Sequence, residues 1–148
     1  MRYLTMVLAF GGLLFVSGCG DSSDVGKTFP VSGKIYLDNR PLTATTTTVL
    51  FKPDASKGNT STLEPAGTLD DNGTYRLLTK GKEGAPPGWY KVIVTAIDPK
   101  APLQTGKRRE PAPRSLVPGK YGQAGTSDLV IEVVESPQPG AYDLKLTQ

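Results

Sequence analysis

The sequence predicts an all-β fold, an antiparallel β-sandwich of about seven strands. Several short segments alternate apolar and polar side chains with the period of a half-buried strand. Seventeen glycines, thirteen prolines and many threonines are typical of short strands joined by turns. After the first 18 residues no stretch has the period of a helix.

In chain order, the predicted strands occupy residues 31–37, 45–52, 64–69, 74–79, 89–97, 129–134 and 142–147. In the first of them Val31, Ile35 and Leu37 share one face. The turn residues 38–41 end this strand. The third strand is predicted to lie at a sheet edge, where Pro65 costs no hydrogen bond of the ladder.

Residues 89–97 form the most strand-like segment, and we predict that this strand is central because both of its faces carry apolar groups. One face holds Tyr90, Val92, Val94 and Ala96, and the other holds Trp89, Lys91, Ile93 and Thr95. The following residues, 99–113, are rich in proline and basic side chains and are predicted to form a long loop.

The run Asp70-Asp71-Asn72-Gly73 admits two interpretations. Carboxylate and amide oxygens suit Ca²⁺, but an EF-hand spreads its ligands over about twelve residues and closes with a glutamate. Glu83 does not stand at that distance. The run therefore predicts a β-turn whose glycine has a positive φ.

The N-terminal segment has the features of an export signal. Arg2 precedes a mostly apolar run over residues 4–16, which is shorter than the ~20 residues of a membrane-spanning helix. The run ends in Val16-Ser17-Gly18-Cys19, which resembles the lipobox of bacterial lipoprotein precursors. This resemblance implies diacylglycerol transfer to the Cys19 sulfur and cleavage between Gly18 and Cys19. The alternative is an ordinary signal peptide that contains a cysteine.

The resemblance to lipoproteins, the polar composition of the next residues and the strand pattern together predict three parts. Residues 1–18 are the signal peptide, residues 19–27 a flexible polar tether, and residues 28–148 the β-sandwich domain. We expect a protein exported from the cytoplasm and anchored at the cell envelope through its lipid, with the choice of inner or outer membrane left open.

Three further segments, residues 31–42, 67–77 and 84–92, resemble the carboxypeptidase regulatory-like domain, a small sandwich of transthyretin-like topology. Residues 116–121 and 127–129 resemble the C-terminal half of small bacterial lipoproteins that carry this domain alone. In carboxypeptidases the domain is an accessory to a separate zinc catalytic domain. The resemblance therefore implies a non-catalytic module.

The amino-acid composition limits the kinds of catalytic and binding site that the chain can form. The chain has no histidine and one cysteine, so it lacks the most frequent proton-transfer side chain and any disulfide framework. We predict no catalytic residue, no cofactor and no metal site, and a net charge of +3 does not indicate nucleic-acid binding. An unrecognised hydrolase would need a carboxylate pair, for which Glu132 with Glu135 or Asp70 with Asp71 are the candidates.

Two features suggest partners other than the lipid. A basic cluster, formed by Lys107, Arg108, Arg109 and Arg114, would contact anionic lipid headgroups or cell-wall polymer, unless it is only a solvated loop. The aromatic side chains would stack on a sugar ring, unless they belong to the core; they are Trp89, Tyr36, Tyr75, Tyr90, Tyr121 and Tyr142.

The predicted function is that of a structural or interaction module at the envelope, with an envelope protein or a glycan as partner. The alternative is a carbohydrate- or cell-wall-binding module.

Overall fold

The structure, a computed structural model, describes residues 25–44, 46–98, 100 and 114–148. Its strands are β1 (Ser32–Leu37), β2 (Arg40–Pro41), β3 (Thr47–Pro53), β4 (Ala66–Thr68), β5 (Thr74–Arg76), β6 (Leu78–Thr79), β7 (Lys82–Glu83), β8 (Gly88–Ala96), β9 (Val130–Val133) and β10 (Leu144–Leu146). Single 3-10 turns occupy Ala55–Lys57 and Gly119–Gly122. The all-β prediction is confirmed for the described residues, which include no helix with the length and apolarity to cross a membrane.

The strands form two sheets. One has six strands in the order β7-β6-β4-β3-β8-β9, and all of its neighbours are antiparallel. In the other, β1 pairs with β10 on one side and with β2 and β5 on the other. The β1–β10 pair is parallel, with Ile35 opposite Leu144. The other strand pairs are antiparallel, as predicted. A parallel pair cannot be joined by a tight hairpin, and the long chain between β1 and β10 provides the connection that it needs.

The inner faces of the two sheets share one core. Phe51 of the six-stranded sheet lies with its ring centre 6.4 Å from that of Tyr75 in the other sheet. A second ring, Tyr90, lies 5.7 Å from Phe51 within its own sheet. Ile35 and these three aromatic residues are fully buried. Burial of each large apolar side chain contributes about 1.5–3 kcal/mol to folding.

The predicted strand at residues 74–79 is divided between the two sheets. β5 pairs with β1, while β6 pairs with β4. Leu77 lies between them, donating its N–H to Val31 O at 3.0 Å and accepting at its carbonyl from Gly84 N at 2.8 Å. The backbone approaches closely here, since a Cβ on Gly67 would lie 2.0 Å from Arg76 O. This glycine lets the chain pass from one sheet to the other.

The edge position predicted for residues 64–69 is wrong. The strand found there, β4, lies between β3 and β6. Pro65 just precedes it and contributes only its carbonyl, which accepts from Phe51 N at 2.8 Å. The proline at an edge is Pro41 in β2, within a segment for which the sequence predicted only a turn. Asp38 and Asn39 form the turn, both at positive φ as a tight hairpin requires.

The central position predicted for residues 89–97 is confirmed. β8 lies between β3 and β9. Its inner face holds the four buried residues Tyr90, Val92, Val94 and Ala96. The alternation predicted near the C-terminus is also found, with Leu144 and Leu146 buried and Lys145 exposed. Residues 99 and 101–113, most of the predicted long loop, lie outside the described residues.

Candidate functional site

The first described residues pack against the end of the six-stranded sheet where β8 begins. Val25 is buried, and Phe29 forms an antiparallel bridge with Ala85, with N–O distances of 2.8 and 3.0 Å. Lys27 Nζ lies 2.8 Å from Glu135 Oε1, just past the end of β9. We call this the tether end, because the chain leads from here towards Cys19. The last two residues of the predicted tether, Gly26 and Lys27, thus contact the domain, since Gly26 O accepts a hydrogen bond from Lys82.

The opposite end of the molecule holds the attachment points of the basic segment, and we call it the loop end. β8 stops at Ala96, after which Ile97 forms a bridge with Ser115. Asp98 N donates to Arg114 O at 2.9 Å. A strand of this length spans about 30 Å, at ~3.3 Å per residue. Arg114 is therefore far from the tether end, and residues 107–109 of the predicted basic cluster lie outside the described residues.

Trp89 lies on the outer face of β8 at the tether end, where it is partly exposed. Its backbone carbonyl accepts hydrogen bonds from Asp54 N at 3.0 Å and from Asn59 Nδ2 at 2.9 Å. Lys57 Nζ lies 4.1 Å from the centre of the indole ring. The loop after β3 is therefore fastened to the start of β8 and holds a cation over the aromatic face.

The carboxylate of Asp54 organises this loop. Its Oδ1 accepts from Ser56 N at 3.0 Å and also from the Ser56 hydroxyl. The hydrogen bonds from Ser56 hold the pKa of Asp54 below its usual value, helped by the charges of Lys91 and Lys57 and opposed by burial. Its other oxygen, Oδ2, is buried without a hydrogen-bond partner among the described residues. Asp54 therefore stays ionised beside the two lysines.

Two lysines lie directly opposite each other on the same outer face. Lys52 of β3 pairs with Lys91 of β8, while the next pair, Phe51 with Val92, points into the core. Like charges at opposed positions destabilise a sheet. Within the described part of the chain, no carboxylate oxygen lies within 4.0 Å of either ammonium. We call Trp89, Lys52, Lys57 and Lys91 the Trp89–lysine cluster.

A second feature of the outer surface is an open groove of about 540 Å³ beside β4. Leu78 lines it and is 50% exposed. At the same groove Arg76 Nη1 lies 4.0 Å from Asp70 Oδ2. Threonines 48, 68 and 74 add hydroxyl groups to the lining. The groove thus combines apolar surface with hydrogen-bonding and charged groups.

The six aromatic side chains do not form a joint platform. Four of them are buried, as the core interpretation predicted: Tyr75, Tyr90, Tyr121 and Tyr142. Tyr75 donates its hydroxyl to Tyr142 O at 2.6 Å inside the core. Tyr36 and Trp89 are partly exposed but lie on the outer faces of different sheets. Trp89 therefore stands apart from the other five.

The Asp70 run is the turn that the sequence predicts. Asp70 Oδ1 accepts from Asn72 N and Thr74 N, both at 2.9 Å, and Gly73 has a φ of 71°. Among the described residues no three metal-ligating side chains gather in one place. Of the other proposed carboxylate pair, Glu135 contacts Lys27 and Glu132 faces Trp89 across the strands.

Gly18 and Cys19 lie outside the described residues. Sequence reasoning named Trp89 but missed Lys52 and Lys57 as its neighbours. The alternation of residues 89–97 placed Lys91 on the Trp89 face, whereas the cross-strand register that adds Lys52 has no local signal. In comparisons with known proteins, no family model, curated protein or solved structure matched this chain.

Proposed function

We propose that the chain is an exported envelope lipoprotein, anchored through lipid on Cys19, whose β domain is a non-catalytic structural or interaction module. One observation carries the proposal: Val25, six positions after Cys19, is buried, and the next residue, Gly26, accepts a hydrogen bond at its carbonyl from Lys82 of β7. Six residues span at most about 20 Å, at ~3.3–3.6 Å each. Lipid on Cys19 would therefore hold the domain directly above the membrane.

The topology supports a regulatory-like module. The three segments that carry the resemblance coincide with coherent pieces of the fold. Residues 31–42 contain the β1–β2 hairpin, residues 67–77 contain the turn before β5, and residues 84–92 lead into β8. Two sheets around one core are the architecture expected of a transthyretin-like sandwich. In such a module the solvent-facing surfaces carry the function.

The anchor is tested by expressing the full chain in bacteria that are fed an alkyne-labelled fatty acid. The wild type is expected to incorporate the label, to begin at an acylated Cys19 in mass spectrometry, and to sediment with membranes. Cys19→Ser should lose the label and the acylated N-terminus, while Ser17→Ala keeps a small residue before the cysteine and serves as the matched control. A wild-type chain that is secreted without label contradicts the proposal.

A carbohydrate- or cell-wall-binding module is the second candidate, favoured by the groove beside β4. Its hydroxyl groups and the Arg76–Asp70 pair offer hydrogen bonds to a sugar, and Leu78 offers an apolar contact. Binding of the purified protein to cell-wall glycan fragments should weaken in Arg76→Ala and Leu78→Ala. Lys145→Ala, on β10 and outside the groove lining, is the control. Equal binding by all four proteins rejects the groove as the site.

A further inference from the structure

The tether and the Trp89–lysine cluster lie at the same end of the domain. Trp89 is the second residue of β8, and the Phe29–Ala85 bridge lies just before this strand. The loop that carries Lys57 follows the end of β3, which pairs with the beginning of β8. A lipid anchor within about 20 Å of Val25 therefore brings this end, rather than the loop end, to the membrane surface.

No ammonium group of the cluster is paired with a carboxylate in the part of the chain that the structure describes. Lys52 and Lys57 are exposed, and Lys91 is partly so. The carboxylates on this part of the face are Glu132, which is exposed opposite Trp89, Glu64, which the register of β3 with β4 places beside Lys52, and Asp54, which is buried. Among the described residues none of their oxygens lies within 4.0 Å of the three ammonium groups. The opposed Lys52 and Lys91 repel each other across the strands, which destabilises the sheet locally. A bound anion would reduce this repulsion.

The indole ring of Trp89 is also suited to contact with a membrane surface. Tryptophan is enriched at the headgroup level of membranes because its ring is apolar and its N–H is polar. A sugar stacked on the face of Trp89 that Lys57 Nζ covers at 4.1 Å would have to displace this ammonium. A phosphate can instead bind the ammonium of Lys57 without displacing it from the ring. The arrangement thus favours phospholipid headgroups over a stacked glycan.

We infer that the Trp89–lysine cluster docks the tether end onto anionic phospholipid headgroups of the membrane that holds the lipid anchor. This inference rests on the proposed anchoring through Cys19. Of the basic cluster for which the sequence suggested a membrane contact, Arg114 lies at the loop end. With the cluster docked, the loop end points away from the membrane.

Trp89 is the only tryptophan in the chain, so its fluorescence reports on the cluster alone. The acylated full chain is purified in detergent and reconstituted into vesicles of phosphatidylcholine, with or without phosphatidylglycerol. In the anionic vesicles we expect a shift of Trp89 emission to shorter wavelength and quenching by brominated lipid. High salt should reverse both changes, because it screens the lysines.

Matched variants locate the contact. Lys52→Gln, Lys57→Gln and Lys91→Gln combined should abolish the response to phosphatidylglycerol, and each single change should weaken it roughly fivefold. Lys34→Gln, Arg114→Gln and Lys145→Gln remove equal charge elsewhere and should leave the response intact. Circular dichroism verifies that each variant is folded. The reversal of the fluorescence response by high salt is measured on the wild type, so it tests the inference even if a variant fails to fold.

Three results would overturn the docking inference. The first is Trp89 emission that is the same in both kinds of vesicle although the protein floats with them. The second is loss of the response in the control variant but not in the cluster variant. The third is a response to soluble cell-wall glycan and none to anionic vesicles. Failure of the proposed function looks different, since an unacylated chain would not float with vesicles of phosphatidylcholine alone.

Discussion

The ammonium of Lys57 lies 4.1 Å from the ring centre of Trp89, although 32 positions separate the two residues in the chain. The contact depends on Asp54, which accepts hydrogen bonds from Ser56 and begins the 3-10 turn that carries Lys57. Asn59 completes the arrangement by donating to the backbone of Trp89. A cation–aromatic pair is thus held at the end of the sheet nearest the tether.

Removal of the buried hydroxyl of Tyr75 should destabilise the domain. In Tyr75→Phe the carbonyl of Tyr142 loses a buried donor, now at 2.6 Å. We expect the free energy of unfolding to fall by about 1–2 kcal/mol in urea titrations. Tyr36→Phe, at a partly exposed position, is the control and should change it little. Equal stability of Tyr75→Phe and the wild type would contradict the assigned hydrogen bond.

The same tyrosine predicts a loss of stability in alkali. Burial raises the pKa of the Tyr75 phenol far above its ordinary value, with a smaller contribution from the charge of Asp143. The unfolded chain ionises near pH 10, whereas the folded one keeps the proton. The contribution of Tyr75 to stability is therefore constant below about pH 10 and decreases above it. Unfolding curves measured on both sides of that pH should show a weaker decrease for Tyr75→Phe.

Gly67→Ala should disrupt the crossing between the sheets. Its Cβ would lie 2.0 Å from Arg76 O, a backbone atom that cannot move away alone. We expect a loss of about 3 kcal/mol, the upper end of the usual cost of overpacking. Gly125→Ala is the matched control, because nothing lies within 4 Å of its added Cβ. Similar thermal unfolding of both variants would reject the close approach.

A longer tether should weaken membrane docking by the cluster. Gly-Ser repeats inserted after Gly20 lower the effective concentration of the domain at the surface, roughly as the −3/2 power of tether length. The fraction of quenched Trp89 in anionic vesicles should decrease in a series of growing inserts. Flotation with the vesicles should persist throughout the series, since the lipid is unchanged. Constant quenching would show that docking does not depend on the tether.

Local sequence patterns were sufficient to predict an element whose structure depends on a single segment of the chain. Alternation at residues 89–97 identified the faces of β8, because one face of a strand in a sheet must enter the core. The Asp70 turn was equally predictable, since its hydrogen bonds stay within five residues. Pro65 was misread because a proline before a strand and one at an edge look alike in sequence. The division at Leu77 depends on bonds to Val31 and Gly84, which no local pattern contains.

The sequence by itself determined the all-β character of the described residues, and it predicted acylation of Cys19, which stays a prediction. Both depend on short-range features: the side-chain period, turn residues and a signal-like N-terminus. Only the tertiary structure decided which charges meet Trp89 and from which end of the domain the chain leads towards Cys19. Register between β3 and β8 brings Lys52 opposite Lys91, and the Phe29–Ala85 bridge places the first described residues at that end. Such pairings depend on long-range packing, because segments that are distant in the sequence are buried in the same hydrophobic core.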